Sequence, residues 1–252
     1  MARGDISWLR PVAGWPLAEG EVHVWAFTLE RSAADTKASD SVLSAAELER
    51  AARFRFERDR TRFAVGRAQL RHILGSYLQI PPGDLAFEYG PKGKPCLSAT
   101  ASGPALMFNL AHSEDLALLA VTRTGPVGVD VERIRSLPDA DDLVSRFFSP
   151  AEAARFRAVP EPQRATAFFN LWTRKEAWLK ATGEGIGCGL NQVEVTFLPG
   201  EAPRFVKLGE SGDKIANWQL HEISPAPGFA GAVAIAAREV TIQCWQWNNQ
   251  ER

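Results

Sequence analysis

At 252 residues, 45% hydrophobic and 23% charged, the chain has the make-up of a soluble globular protein with a sizeable core, as one large domain or two lobes. A net charge near −1 argues against a dedicated nucleic-acid binder. The three scattered cysteines, Cys96, Cys188 and Cys244, form no CxxC pair or disulfide framework. No apolar run reads as a signal peptide or membrane span, so a cytoplasmic protein is expected.

Residues 1–20 are punctuated by Pro and Gly and read as an irregular lead-in, and 21–29 (EVHVWAFTL) is apolar on both alternations, as in a buried strand. A polar loop over 31–40 precedes Ser44, which caps a helix with Glu47 completing a capping box. A second helix is expected over 59–78, stopped by Pro81 and Pro82. A short strand at 85–89, a turn at 90–95 and strands at 106–110 and 116–122 follow. The turn 123–126 then leads into 127–134, predicted to complete a hairpin and to mark a lobe boundary near 125, giving lobes 1–124 and 125–252. After a loop past Leu137, Ser149 and Pro150 open a helix as N-cap and first-turn proline. A further helix spans FFNLWTRKEAWLKAT, and strands are expected near 193–198, 204–208, 217–223, 230–237 and 240–247. Helices and antiparallel strands in each half make the fold class α+β.

The helix around 168–182 carries an anomaly. At about 100° per residue, Phe168, Phe169, Leu171, Trp172, Trp178 and Leu179 fill one apolar arc, with Asn170, Thr173, Arg174 and Ala177 opposite. Lys175 and Glu176 fall inside that arc, where an unpaired charge costs several kcal/mol. Lys180 lies one turn after Glu176. A lone Lys–Glu pair of this kind is usually a structural ion pair; two inward charges and a third at the rim point to a site. Gly183 is placed to cap the helix, and Gly185, Gly187 and Gly189 follow it. These glycines succeed a helix instead of linking a strand to one, so no dinucleotide fingerprint is read.

In GVDVERI (128–134), Gly128, Asp130 and Glu132 share one face of a strand, with Val127, Val129 and Val131 on the other. Such alternation commonly means a solvated face, yet neighbouring like charges repel. With Glu176 they make three hard oxygen donors suited to Mg²⁺ and substrate phosphates, provided helix and strand meet. Eight arginines between Arg50 and Arg71 read mostly as a solvated helix face, with a subset able to grip phosphates. His112 taken alone reads as a hydrogen-bonded structural histidine. Ser113 and His112 lack the elbow of a hydrolase triad.

Three segments in this order, FNLAHS (108–113), GVDVER (128–133) and FFNLWTRKEAWLKATGEGI (168–186), together resemble the Sfp-type 4′-phosphopantetheinyl transferases. The likeness extends weakly through 53–71 and GKPCL (93–97), covering roughly 44–190. The resemblance implies a monomer of two similar α+β lobes related by a pseudo-twofold axis, with coenzyme A and Mg²⁺ in the cleft between them. It implies transfer of the phosphopantetheine arm of coenzyme A to a serine of an acyl or peptidyl carrier protein, in fatty-acid, polyketide or nonribosomal-peptide synthesis. Carried over by residue, Asp130, Glu132 and Glu176 match the metal-binding acids, with Glu176 also the candidate general base, and Lys180 matches the lysine facing the pyrophosphate. His112 matches the 3′-phosphate contact and Lys94 the lysine near the adenine, and Arg50 falls where a phosphate-contacting lysine often lies. Lys175 is grouped with these coenzyme-binding cations. Ala111 stands where the family usually has Ser, and Glu47 where it often has a basic residue; Arg53 and Arg62 are the candidates to compensate. Carrier proteins are generally acidic, so Arg133, Arg135, Leu137, Arg146, Phe147 and Phe148 are expected near their docking surface. A non-catalytic coenzyme A or carrier-protein binder on the same scaffold is the alternative; it would be expected to have lost the acids.

Overall fold

The computed structural model describes residues 7–10, 15–30, 39–98, 105–184, 189–209 and 212–247. Half of the lead-in and most of the 31–40 loop, and with them Gly185, Gly187 and Cys188, lie outside the described residues. The elements are β1 (Trp8–Leu9), β2 (Glu21–Thr28), α1 (Ala45–Ala52), α2 (Glu57–Leu78), β3 (Phe87–Tyr89), β4 (Pro95–Leu97), β5 (Met107–Ser113), β6 (Leu116–Thr122) and β7 (Val127–Arg133). There follow α3 (Ala140–Phe147), α4 (Pro150–Arg157), α5 (Glu161–Thr182), β8 (Val193–Val195), β9 (Phe205–Leu208), β10 (Gln219–Ile223), β11 (Phe229–Ile235) and β12 (Thr241–Gln246). The class is α+β.

Two sheets carry the architecture, a five-stranded one ordered β1-β12-β2-β6-β5 and a three-stranded one ordered β10-β11-β7. The β2 strand is apolar on both alternations because it is covered on both faces. Trp25 and Phe27 pack with Val65, Leu70 and Ile73 of α2, while Val22, Val24 and Ala26 pack with Val127, Val129, Val131 and Val233 of the second sheet. The second sheet turns its other face to α5, where Ala177, Leu179 and Ala181 join Ala232 and Ala234. Each sheet thus has its own 22-residue helix on its outer face.

The expected hairpin at 123–126 does not form. The β7 strand pairs antiparallel with β11, while β6 pairs with β2 and β5, so the turn carries the chain from one sheet to the other. Apolar strands joined by a short turn look alike in sequence whether they pair with each other or with distant partners. The last strand, β12, returns to lie parallel to β2 in the first sheet. The stretch past Leu137, expected as loop, contains α3.

The capping box expected at α1 forms, and α4 carries a second one. Ser44 and Glu47 cap α1 reciprocally, and Ser149 does the same with Glu152 at α4, with Pro150 in the first turn. Gly183 ends α5 in the left-handed conformation, φ 75°. The α2 helix ends at Gln79, also left-handed, before the prolines are reached. No described helix is long and apolar enough to cross a membrane.

Candidate active site where the acid strand meets the central helix

The sequence alternation of β7 decides the site. Its valines enter the core between the sheets, which forces Gly128, Asp130 and Glu132 towards α5. A Cβ on Gly128 would come within 2.0 Å of the Ala177 carbonyl oxygen and 2.4 Å of the Ala181 amide. The absent side chain is what lets α5 lie directly on the strand. The helix then brings Glu176 and Lys180 to the acids two and four residues along.

Asp130 is 4% exposed. Its Oδ1 accepts a hydrogen bond from Lys180 Nζ at 2.6 Å, and its Oδ2 is buried with no partner. Burial pushes its carboxyl up to about 7; Lys180 opposes the rise, and Glu176 and Glu132 add to it. Glu176 is likewise raised, by burial first and by Glu132, against the pull of Lys180, and its Oε1 is buried without a partner. Glu132 is held by Ser113, whose hydroxyl donates to Oε2 at 2.8 Å. The expectation that helix and strand meet, and that their three acids share one region with Lys180, is met.

Among the described residues, no three His, Cys, Asp or Glu side chains already form a metal-holding group. The donor chemistry nevertheless fits a hard divalent cation. Glu132 and Glu176 both act on the Asp130 carboxyl, and two buried oxygens, Asp130 Oδ2 and Glu176 Oε1, have no partner. Lys180 occupies the counter-ion position on Asp130 in this structure.

The candidate coenzyme-binding cations are distributed unevenly. His112 is exposed on the β5 face opposite Ser113; lost hydration, then the charges of Arg62 and Lys180, hold its imidazolium below the ordinary range. Arg62 donates to Asp115 Oδ1 at 2.7 Å beside it. Arg50 and Arg53 line a groove of about 1030 Å³ between α1 and residues 83–89, with Phe87 and Tyr89 on the far wall. Lys94 directs its ammonium at main-chain carbonyls, those of Lys180 at 2.5 Å and of Val127 and Ala181 at 3.2 Å, at the C-terminal end of α5.

Lys175 requires a correction. It is fully buried and donates to Glu152 Oε2 at 2.5 Å, Val193 O at 2.6 Å and Leu190 O at 2.7 Å, so all three of its protons are used inside the core. It is a structural ion pair, and the coenzyme-binding role expected for it does not hold. The side of α5 expected to be polar is buried too. Asn170 donates to Phe197 O, Arg174 bonds Thr196 O and, at 2.8 Å, Glu222, and Thr173 bonds back to Phe169 O. Two of the eight arginines also leave the solvated face: Arg67 and Arg71 are buried on Glu47, at 2.5 and 2.7 Å. The acid that replaces a basic residue is therefore a buried counter-ion.

Sequence reasoning missed the seam between the sheets. Asn109 Oδ1 accepts the Val129 amide at 2.9 Å, and Ser113 Oγ accepts the Arg133 amide at 3.1 Å. Two polar side chains so cap the edge of β7 that faces β5. Ala111, between them, is 5% exposed and packs in the inter-sheet core. Its side chain points away from His112.

Residues 126–237 match the 4′-phosphopantetheinyl transferase superfamily, and residues 30–124 match the description "4′-phosphopantetheinyl transferase, N-terminal". The 4′-phosphopantetheinyl transferase HetI of Nostoc sp. is 39% identical over 96% of this chain and 98% of its own length. The 4′-phosphopantetheinyl transferase psf-1 of Bacillus pumilus is 38% identical over 56% of this chain and 58% of its own. A 4′-phosphopantetheinyl transferase of Bacillus subtilis is 26% identical over 79% and 89%.

Proposed function

The chain belongs to the 4′-phosphopantetheinyl transferase superfamily, and we propose that Asp130, Glu132, Glu176 and Lys180 are the centre at which it transfers the phosphopantetheine arm of coenzyme A to a carrier-protein serine. The observation that carries this reading is the pair of buried carboxylates with unpartnered oxygens, Asp130 and Glu176, where β7 meets α5. A scaffold that only bound coenzyme A would gain nothing from retaining them, since two crowded buried acids cost stability. The non-catalytic alternative is ranked below the enzyme for that reason.

In the reaction the serine oxygen forms a bond to the phosphorus that carries the pantetheine arm. The P–O bond to the nucleotide half of the diphosphate breaks. The serine proton goes to Glu176, whose affinity for protons is raised by burial, as suits a general base. Lys180 is placed to receive the diphosphate once it lets go of Asp130. Mg²⁺ held by Asp130, Glu132 and Glu176 would neutralise charge developing on the diphosphate. His112 and Arg62 offer the 3′-phosphate a basic wall, and Arg50 and Arg53 extend it into the groove beside Tyr89.

For the carrier protein we place the docking surface on Arg133, Arg135, Leu137, Arg146 and Phe147. Three guanidiniums there lie over aromatic rings, Arg133 on Phe229, Arg135 on Phe169 and Arg146 on Phe147, each within 5.2 Å of the ring centre, which presents charge on an apolar base. Phe148 is 5% exposed and belongs to the core. The lobes are taken as 1–124 and 125–252, a division supported by the two family matches ending at 124 and starting at 126, with β12 crossing back into the sheet of the first lobe. A cytoplasmic monomer completes the reading. Intact-mass measurement of apo carrier proteins after incubation with the enzyme, coenzyme A and Mg²⁺ tests it. A single phosphopantetheine adduct that vanishes with a chelator is expected; no adduct on fatty-acid, polyketide or peptide carriers would overturn it.

A further inference from the structure

We propose that Ser113 is a positioning residue that holds Glu132 in its cation-binding orientation, an inference that rests on the reading of Glu132 as a metal ligand. Ser113 is 8% exposed, and its hydroxyl is fixed at both ends. It accepts the Arg133 amide at 3.1 Å and spends its one proton on Glu132 Oε2 at 2.8 Å. Glu132 needs such a hold more than its neighbours. Its side chain is 27% exposed against 6% for Asp130, and its other cation, Arg135, stands at 3.8 Å on the solvent side, beyond hydrogen-bond distance. Without the hydroxyl the carboxylate is free to swing out towards Arg135 and water, away from Asp130 and Glu176.

The same residue ties the acids to the coenzyme side of the cleft. Asn109 and Ser113 reach residues 129 and 133, each twenty positions on, so β5 and β7 are held in one register by two side-chain bonds. No backbone ladder joins these strands. Strand β5 carries His112 on its other face, so the seam sets the height of the acids relative to the histidine.

The test is a double-mutant cycle on the full chain, reading Mn²⁺ affinity from the electron paramagnetic resonance of free Mn²⁺, with no coenzyme present. Ser113→Ala is expected to weaken Mn²⁺ about 10- to 100-fold, the usual effect of losing an outer hydrogen bond to a ligand. Ser113→Thr, which keeps the hydroxyl, should stay within about 3-fold of wild type on the same scale. Ser113→Cys, similar in size but a weak donor, should behave like Ser113→Ala, and it replaces that variant if the latter fails to fold. In a Glu132→Ala background, Ser113→Ala should cause no further loss. Wild-type affinity in Ser113→Ala and Ser113→Cys, or the full loss repeated in the Glu132→Ala background, overturns the positioning role while leaving the metal site standing. Unchanged Mn²⁺ affinity in Glu132→Ala removes the metal reading of Glu132 and the inference with it.

Discussion

Asp130 shows how a buried charge is tolerated for use. Its carboxyl sits near 7 even with Lys180 attached, so in the folded protein the ionised form is disfavoured on balance. The native state therefore holds this proton more tightly than the unfolded chain. Stability contributed at low pH is lost as pH rises from the ordinary carboxylate range through about 7. Asp130→Asn removes that penalty. Without divalent cations it should be more stable than wild type by about 1–3 kcal/mol at pH 8 and equal to it at pH 4, with transfer abolished. Thermal melts at the two pH values check it; equal melting temperatures at both would mean that the carboxylate is not strained. Ala111 gives a second outcome at this scale. The side chain of Ala111, where the family usually has Ser, faces the inter-sheet core, opposite His112. Dephospho-coenzyme A should bind more weakly than coenzyme A by about 1–3 kcal/mol through loss of charge-assisted contacts. Ala111→Ser should leave the KM for both unchanged, and a lower KM for coenzyme A alone would place the hydroxyl at the phosphate.

At the scale of elements, the strand–helix contact is the part of the site most open to a single change. Gly128 shares its strand face with the acids, and a methyl group there would overlap the backbone of α5 at Ala177 and Ala181. Gly128→Ala should destabilise the fold by about 4 kcal/mol or more, visible as a lower urea midpoint, because neither the helix nor the strand can yield. A loss below about 1 kcal/mol would show that the helix is not seated on the strand as described. Glu176 is legible in the sequence because a charge inside an apolar arc breaks the helical period, and Asp130 and Glu132 because like charges adjoin on one face of a strand. Asn109 and Ser113 break no period. Their bonds join elements twenty residues apart, and such pairings leave no local trace. The same limit explains the missing hairpin, since β6 and β7 each find partners elsewhere. It also explains Lys175, whose buried partner Glu152 lies on another helix.

Across the whole molecule, two helix-backed sheets face each other, and β12 closes the chain back onto the first. That arrangement leaves Arg135 on the solvent side of Glu132, 3.8 Å from its carboxylate. Charge reversal at Arg135 and Arg146 should slow association with an acidic carrier protein and flatten its salt dependence while leaving coenzyme A affinity intact. An unchanged KM for every accepted carrier in both variants would move the docking surface elsewhere. The α+β class was readable from hydrophobic patterning, whereas which strands share a sheet was not. The central claim is that chemistry occurs where β7 meets α5, and the most direct test is the single-turnover rate of transfer to an apo carrier protein by Glu176→Gln. The geometry predicts a rate about 10²- to 10⁴-fold below wild type with coenzyme A affinity retained, because a neutral amide cannot take the serine proton. A rate within about 3-fold of wild type would contradict it and place the base, and with it the reaction centre, elsewhere.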